Sequence, residues 1–395
     1  MSGTLSNIYN NASFALQLHS REMARLQEQA STGAEVNRVS DSPSKAYQIL
    51  GLNCQQRSLE NYIDNLSEMV STLEVSSTII ENIISALAET KTQLSQVTSG
   101  TYSKDGQQRV ADGIDEILEQ IVSLANTKHT NQYLFGGSNT ASSPYTVERT
   151  GGKITRVIYQ GSCDTRSIDV AAGLRSSALY VGSEIFCSSN RGAPVFLGDT
   201  GAKAGTGTSS VTGDIWLTVT HDGSNYRLSI DDGATYMTVP TGGDPNQAVT
   251  DSRTGRVLYV DSTAINSTGT EMVTVSGTYD IFSVLISARD ILANNRGLST
   301  TQLRELVNNS LNSLDEVNNL LAQAEVAVGS RIGFLDNLKD SLENRKYSTE
   351  DETTRLQEAD VAQIAIDLSR REILYQMSLS VAGKLMSISL LDFIE

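Results

Sequence analysis

From Leu59 onward, apolar side chains recur in alternating steps of four and three. The positions are Leu59, Ile63, Leu66, Val70, Leu73, Ser77, Ile80, Ile84, Leu87, Lys91 and Leu94, and nine of the eleven are apolar. A second run, Val110, Ile114, Ile117, Ile121 and Leu124, keeps the spacing. A third runs near the other end of the chain: Leu303, Val307, Ser310, Leu314, Val317, Leu321, Ala324, Val328, Arg331, Leu335, Leu338 and Leu342. A mean step of 3.5 residues lines these side chains along one seam of an α-helix. A helix with a single apolar seam is marginal alone and must lay that seam on a neighbour. The direct solution is a long antiparallel bundle, resembling a coiled coil, built from both ends of the chain.

Glycine and proline mark off the remainder. Of 30 glycines, 20 lie between Gly136 and Gly277, with four of the five prolines; Pro43 is the exception. Inside that stretch "IWLTV" at 215–219, "YRLSI" at 226–230 and "TYMTV" at 235–239 read as strands, joined by the turn signals "THDGSN" and "DDGA". "KITRVIYQG" and "RVLYVDSTAI" add two more. The fold class is therefore α+β, a helical bundle carrying a β-rich insert. Residues 1–40 with 360–395 form terminal helices, 41–135 with 278–359 the bundle, and 136–277 the β-rich region. In "RVSDSPSKAYQIL", Ser42 is placed as N-cap and Pro43 as first helical residue, where its missing N–H costs nothing.

Charge and composition exclude several functions. A net charge of −16 argues against binding a phosphate backbone, which needs clustered Lys and Arg. No nucleic acid partner is expected. No run of 18 apolar residues occurs, so no membrane partner is expected either. The start, "MSGTLSNIYNNASFALQLHSREMARL", has neither a basic n-region nor an unbroken apolar h-region, so a cleaved signal peptide is not expected. Cys54, Cys163 and Cys187 set up no disulfide framework; Cys163 and Cys187 stand close enough to pair, but free or buried thiols are the expectation.

Catalytic chemistry finds little to work with. His19, His129 and His221 are scattered, and His19 falls on a helix seam, where a packed or partner-facing ring is expected rather than a ligand. Neither a nucleophile elbow nor a phosphate-binding loop is present. Asp231 and Asp232 in "IDDGATY" lack the alternating ligands and distal Glu of a calcium loop and read as a hairpin turn. The acids of "TEDETTRLQEAD" fit a helix start through the macrodipole. No enzyme, cofactor or metal is expected.

The two ends carry stripes of their own. Tyr9, Ala12, Leu16, His19, Met23, Leu26 and Ala30 form a weak heptad broken at Ser31–Gly33, and Leu374, Met377, Val381, Leu385, Ile388 and Leu391 form the matching one. Ordering a backbone costs about 1–2 kcal/mol per residue, and a buried Leu or Ile returns about 1.5–3 kcal/mol. Six stripe residues cannot order such an arm alone, so the arms are expected to fold on assembly, with Leu16, Met23, Leu26, Leu374, Met377, Val381, Leu385, Ile388 and Leu391 as the assembly interface. The competing expectation packs both ends against the bundle within one monomer.

At this point the residues carry a resemblance. "LQEQASTGAEVNRVSDSPSKAYQIL" resembles the N-terminal signature of bacterial flagellins and their junction relatives. "SRIGFLDNLKDSLENRKYSTEDETTRLQEADVAQIAIDLSRREILYQMSLSVAGKLMSISLL" resembles the C-terminal one. The likeness covers roughly residues 1–137 and 278–395. "YLFGG" at 133–137, "SPY" at 143–145, "YQGSCDTRSIDVAAG" at 159–173 and "MSISLLDF" are similar to the hook–filament junction members of that family. A departure is Ser42, where the family usually carries a second Asp before Pro43. The resemblance implies a structural subunit of the flagellum that assembles as a ring or tube, with terminal helices as inner wall and the β region outermost. It implies export without a cleaved signal to an extracellular position. Its partners would be further copies, the first hook-associated protein, flagellin and an export chaperone. A flagellin subunit of the filament itself is the alternative.

Overall fold

In a computed structural model the backbone is described for residues 2–99, 103–165, 167–177 and 179–394, and side chains for 10–98, 103–165, 167–177 and 179–384. Seven helices are present among the described residues: α1 (Ser2–Thr32), α2 (Pro43–Ser99), α3 (Lys104–Ala125), the short α4 (Gly182–Phe186), α5 (Ile281–Ala293), α6 (Thr300–Gln357) and α7 (Val361–Ile394). The order helix, β region, helix is the α+β class read from the sequence. The chain divides into two compact units, residues 1–64 with 338–395 and residues 65–337.

In the larger unit the third predicted seam is the buried row of α6: Leu303, Val307, Ser310, Leu314, Val317, Leu321, Val328 and Leu335 are all buried. On α2 the prediction is half right. Leu66, Leu73, Ile80, Leu87 and Leu94 are core, but the row beside them is Met69, Ser76, Ile83, Thr90 and Val97. Val70 and Ile84 lie on the flank, and Lys91 is exposed and pairs with Asp315 of α6 at 2.5 Å. Ser76 and Thr90 hid the true row by being polar. Their hydroxyls donate to the carbonyls of Thr72 (2.9 Å) and Ala86 (3.0 Å) one turn back, so neither enters the core unsatisfied. Ile114, Ile117, Leu118 and Ile121 of α3 and Val284, Leu285, Ala288 and Ile291 of α5 supply the rest of the helical core.

The β region belongs to the same unit. Five antiparallel strands run in the order Met237–Thr238, Tyr226–Ser229, Gly213–His221, Gly269–Val275, Pro194–Leu197. A second sheet, Gln247–Thr250, Val257–Asp261 and Lys203–Ala204, shares one core with it, made of Leu217, Val219, Leu228, Val249, Leu258, Val260, Val273 and Val275. The predicted strand over 235–239 shrinks to Met237–Thr238. Its first residue is drawn aside: Thr235 donates its N–H (2.9 Å) and hydroxyl (2.6 Å) to Asp231. Ser229 and Ser252 add hydroxyl donors at 2.8 and 2.7 Å. Burial alone would favour the neutral acid, but these donors hold the Asp231 carboxyl well below the usual range. With its lone pairs taken by the protein, Asp231 has none to offer a cation, and Asp232 and Gly233 take positive φ as the hairpin reading requires.

"YLFGG" lies where the chain leaves the bundle. Leu134 and Phe135 are buried, and Phe135, Tyr145, Phe186 and Phe282 form a chain of aromatic contacts with centroids 4.9–6.2 Å apart. Gly137, at φ +62, has no room for a side chain, since a Cβ would stand 2.4 Å from the Ser162 carbonyl oxygen. Asn126 clamps the node, accepting from the Tyr145 N–H (3.0 Å) and donating to the Tyr145 carbonyl (3.0 Å). Nearby, Arg289 of α5 is buried and donates to Asp115 of α3 (2.5 Å) and to the Ile154 carbonyl (2.7 Å). Cys54, Cys163 and Cys187 are free thiols, and burial pushes that of Cys187 up to about 12.

Candidate assembly surface

In the smaller unit the two ends of the chain meet. α1 stops at Gly33 with φ +69, the "STG" break seen in the sequence. The strand-like segment that follows pairs with the gap between α6 and α7: Glu35 N–H donates to the Gln357 carbonyl (2.7 Å) and Ala359 N–H to the Gly33 carbonyl (3.0 Å). Gln29 reinforces the turn by donating to the Glu35 carbonyl at 2.6 Å. Asp360 then caps α7, accepting from the Gln363 N–H at 3.0 Å, the helix-start role expected of it, whereas Glu350, Asp351 and Glu352 of the same run lie instead near the C-terminal end of α6. Before α2, Asp41 accepts from the N–H groups of Asn37 (3.1 Å) and Arg38 (2.8 Å), and Pro43 is the first helical residue as predicted. α2 and α6 run antiparallel here too, Glu60 meeting Lys346 at 3.1 Å and Gln56 meeting Glu350 at 3.0 Å.

α1 and α7 pack antiparallel. Leu26 packs with Ala359, Ile364 and Leu368, and further along Arg371 lies 3.4 Å from the His19 ring. On α1 the side facing α7 is the predicted one: Leu26 is buried, and Ala12, Leu16, His19 and Met23 are half-buried. Ala30 is exposed, and the side chain of Tyr9 lies outside the described residues. On α7 the side facing α1 is not the predicted stripe. It is Ile364, Leu368, Arg371, Tyr375, Ser378 and Ala382, again in steps of four and three. Its polar members kept it from view in the sequence.

The predicted α7 stripe is consequently turned outward. Leu374 is 37% exposed, Met377 60% and Val381 55%. The side chains of Leu385, Ile388 and Leu391 lie outside the described residues. Two isoleucines missed in the sequence reading join the same outer face, Ile366 (62%) and Ile373 (56%). At 100° per residue, Ile366, Ile373, Met377 and Val381 fall within one stripe on the far side of the helix from Ile364 and Leu368. The nine predicted interface residues thus separate: those on α1 are used within the chain, while the described ones on α7 are left uncovered. α1 adds the exposed Phe14 and Leu18 on its own outer side. An open, mostly apolar hollow of about 400 Å³ is lined by Val36, Val39, Pro43, Tyr47, Ile49 and Leu50, with Arg38 among its polar members.

Among the described residues no group of three or more His, Cys, Asp or Glu is placed to hold a metal, and no helix is long and apolar enough to cross a membrane. A surface built from exposed Ile, Met, Val and Leu on a helix whose other side is already packed has one chemical capacity. It can exclude water against a matching surface.

The chain is similar to known flagellar proteins. Residues 5–140 match the bacterial flagellin N-terminal helical region. The flagellar hook-associated protein 3 of Escherichia coli (strain K12) is 28% identical over 170 residues, covering 42% of this chain and 51% of that protein, and that of Salmonella typhimurium matches to the same extent. The chain thus matches about half the length of these curated relatives. In fold it is similar to the crystal structure of flagellar hook-associated protein 3 from Legionella pneumophila, with a TM-score of 0.54 and 17% identity, over 78% of this chain and 98% of that one. The resemblance is to the flagellin superfamily, and within it to hook-associated protein 3.

Proposed function

We propose that this chain, whose N-terminal third matches the flagellin helical region, is a structural subunit of the bacterial flagellum at the junction between hook and filament. It assembles with further copies as a ring or tube through its terminal helices and turns over no substrate. The observation that carries the reading is the outward apolar stripe of α7, on a helix already packed on its other side by α1. Each such residue buried between subunits contributes about 1.5–3 kcal/mol, so a handful per contact offsets the charge repulsion between free copies.

In the assembled state residues 1–40 with 360–395 line the inner wall, 41–135 with 278–359 form the outer tube, and 136–277 reach the surface. The first hook-associated protein stands on one side and flagellin on the other, an export chaperone accompanies the free subunit, and export proceeds without a cleaved signal. The likeness to hook-associated protein 3 favours the junction over the filament itself.

The test has two arms. Deleting the gene should leave bare hooks, seen by electron microscopy, with unpolymerised flagellin in the medium. Bare hooks with no flagellin released would make this chain the filament subunit instead. In the second arm, Met377→Asp with Val381→Asp should leave the helical circular-dichroism signal unchanged but keep the protein out of isolated flagella. Normal incorporation of that variant would remove the outer face of α7 from the assembly surface.

A further inference from the structure

Two acids are buried in the β sandwich, and their surroundings are opposite. Asp231 is 4% exposed and is ringed by hydroxyl and N–H donors from Ser229, Thr235 and Ser252. Glu271 is 2% exposed, and its Oε1 has no hydrogen-bond partner. Its donors come from Thr200, whose N–H lies 3.4 Å from Oε2 and whose hydroxyl also hydrogen-bonds the carboxyl. Glu271 sits in a central strand, paired with Leu217, on the side of the sheet that also presents Val273 and Val275 to the core. The loop that covers it lies directly against it. A Cβ on Gly198 would stand 2.3 Å from Glu271 Cβ and 2.6 Å from its Oε2.

A carboxylate in that position has lost its water and leaves Oε1 without a donor, which is a costly way to bury a charge. A neutral carboxylic acid avoids most of that cost. We propose that Glu271 is a neutral acid in the closed β region, and that losing its proton to water opens the rim formed by Gly198, Asp199 and Thr200. Burial is the first cause raising its titration point, outweighing the Thr200 hydroxyl and N–H that lower it, and the nearby charge of Asp199 raises it further. Glu305 of α6, which lines the same cavity as Asp199 and Glu271, is a further acid rather than a compensating base.

The sign follows from linkage. The folded titration point lies above the ordinary value of 4.5, so the stabilisation by the neutral acid is complete below pH 4.5 and is lost as pH rises through the raised value. The rim therefore loosens on going from acid toward neutral and alkaline medium, contrary to ordinary acid denaturation. This holds whether or not the chain belongs to the hook–filament junction.

Hydrogen exchange followed by mass spectrometry on the full chain tests it, comparing wild type with Glu271→Gln at each pH so that intrinsic exchange cancels. For peptides spanning 195–204 and 269–275, the ratio of opening constants, wild type over variant, should rise by up to about tenfold per pH unit above pH 4.5 and then level off. Peptides of α2 and α6 should show no such trend. Asp214 titrates alike in both proteins and drops out of the ratio. The infrared difference spectrum between the two proteins at pH 5 should show a protonated-carboxyl C=O band belonging to Glu271, a readout independent of how stable the variant is. A ratio flat from pH 4.5 to 8, or a carboxylate band in place of the protonated one, overturns the proposal.

Discussion

Replacing Arg289 by Ala should be among the most damaging single changes in the larger unit. The guanidinium is 3% exposed and ties three elements: Asp115 on α3, the Ile154 carbonyl on the strand Lys153–Tyr159, and its own helix α5 through Asp290. Asp290 is 54% exposed, and its contact contributes little. Asp115 is only 20% exposed, and the Ile154 carbonyl loses its donor outright. An orphaned buried acceptor costs about 1–3 kcal/mol, and breaking a buried ion pair by removing one partner costs about 3–5 kcal/mol. The two overlap, so about 3–5 kcal/mol is expected in total. With a urea dependence of about 3 kcal/mol per molar, the unfolding midpoint should fall by roughly 1–2 M. Arg289→Met with Asp115→Leu should recover much of the loss, because no charge is then left unpaired. A fall below about 1 kcal/mol for Arg289→Ala, or no recovery in the double variant, would refute the assignment of that loss to the buried pair.

Burial raises the Asp214 carboxyl to about 6 from an ordinary 3.8, with the hydroxyls of Ser287 and Tyr279 opposing. Its contribution to stability should be complete below pH 3.8 and be lost between there and pH 6, by roughly 3 kcal/mol. Asp214→Asn should remove that component, seen as a stability difference between variant and wild type that grows from pH 4 to pH 6.5. Gly137→Ala combines a left-handed backbone with a Cβ 2.4 Å from a carbonyl oxygen, so thermal unfolding should shift by the equivalent of about 2 kcal/mol or more. Leu321→Ala, at a fully buried position of α6, should cost about 2–5 kcal/mol in a denaturant melt. Val326→Ala, 73% exposed on the same helix, should stay within about 0.5 kcal/mol for the free subunit.

Helix and strand were legible where local chemistry decides them. The three-four spacing from Leu303 to Leu342 is the sequence signal and, apart from the half-buried Ala324, Arg331 and Leu338, the buried row of α6, because row positions face the same side at every turn. The glycine cluster from Gly136 to Gly277 covers most of the strands, all but the short pair at Lys128–His129 and Gln132–Tyr133, and Pro43 starts α2, since both residues act through their own backbone.

What only the tertiary structure decided is which of two adjacent rows turns inward. On α2 the row of Met69, Ser76, Ile83, Thr90 and Val97 was masked by two hydroxyls that bond within their own helix. On α7 the inward row contains Arg371, Tyr375 and Ser378, while the more apolar stripe through Met377 and Val381 faces out. Periodicity names the stripe but not the partner, because apolar surface is satisfied equally by a neighbour in the same chain or in another. The donor-poor surroundings of Glu271 and the saturated ones of Asp231 are likewise invisible in sequence. Asp231 is flanked by Ile230 and Asp232 and Glu271 by Thr270 and Met272, and only the folded loops determine which of the two acids the donors reach.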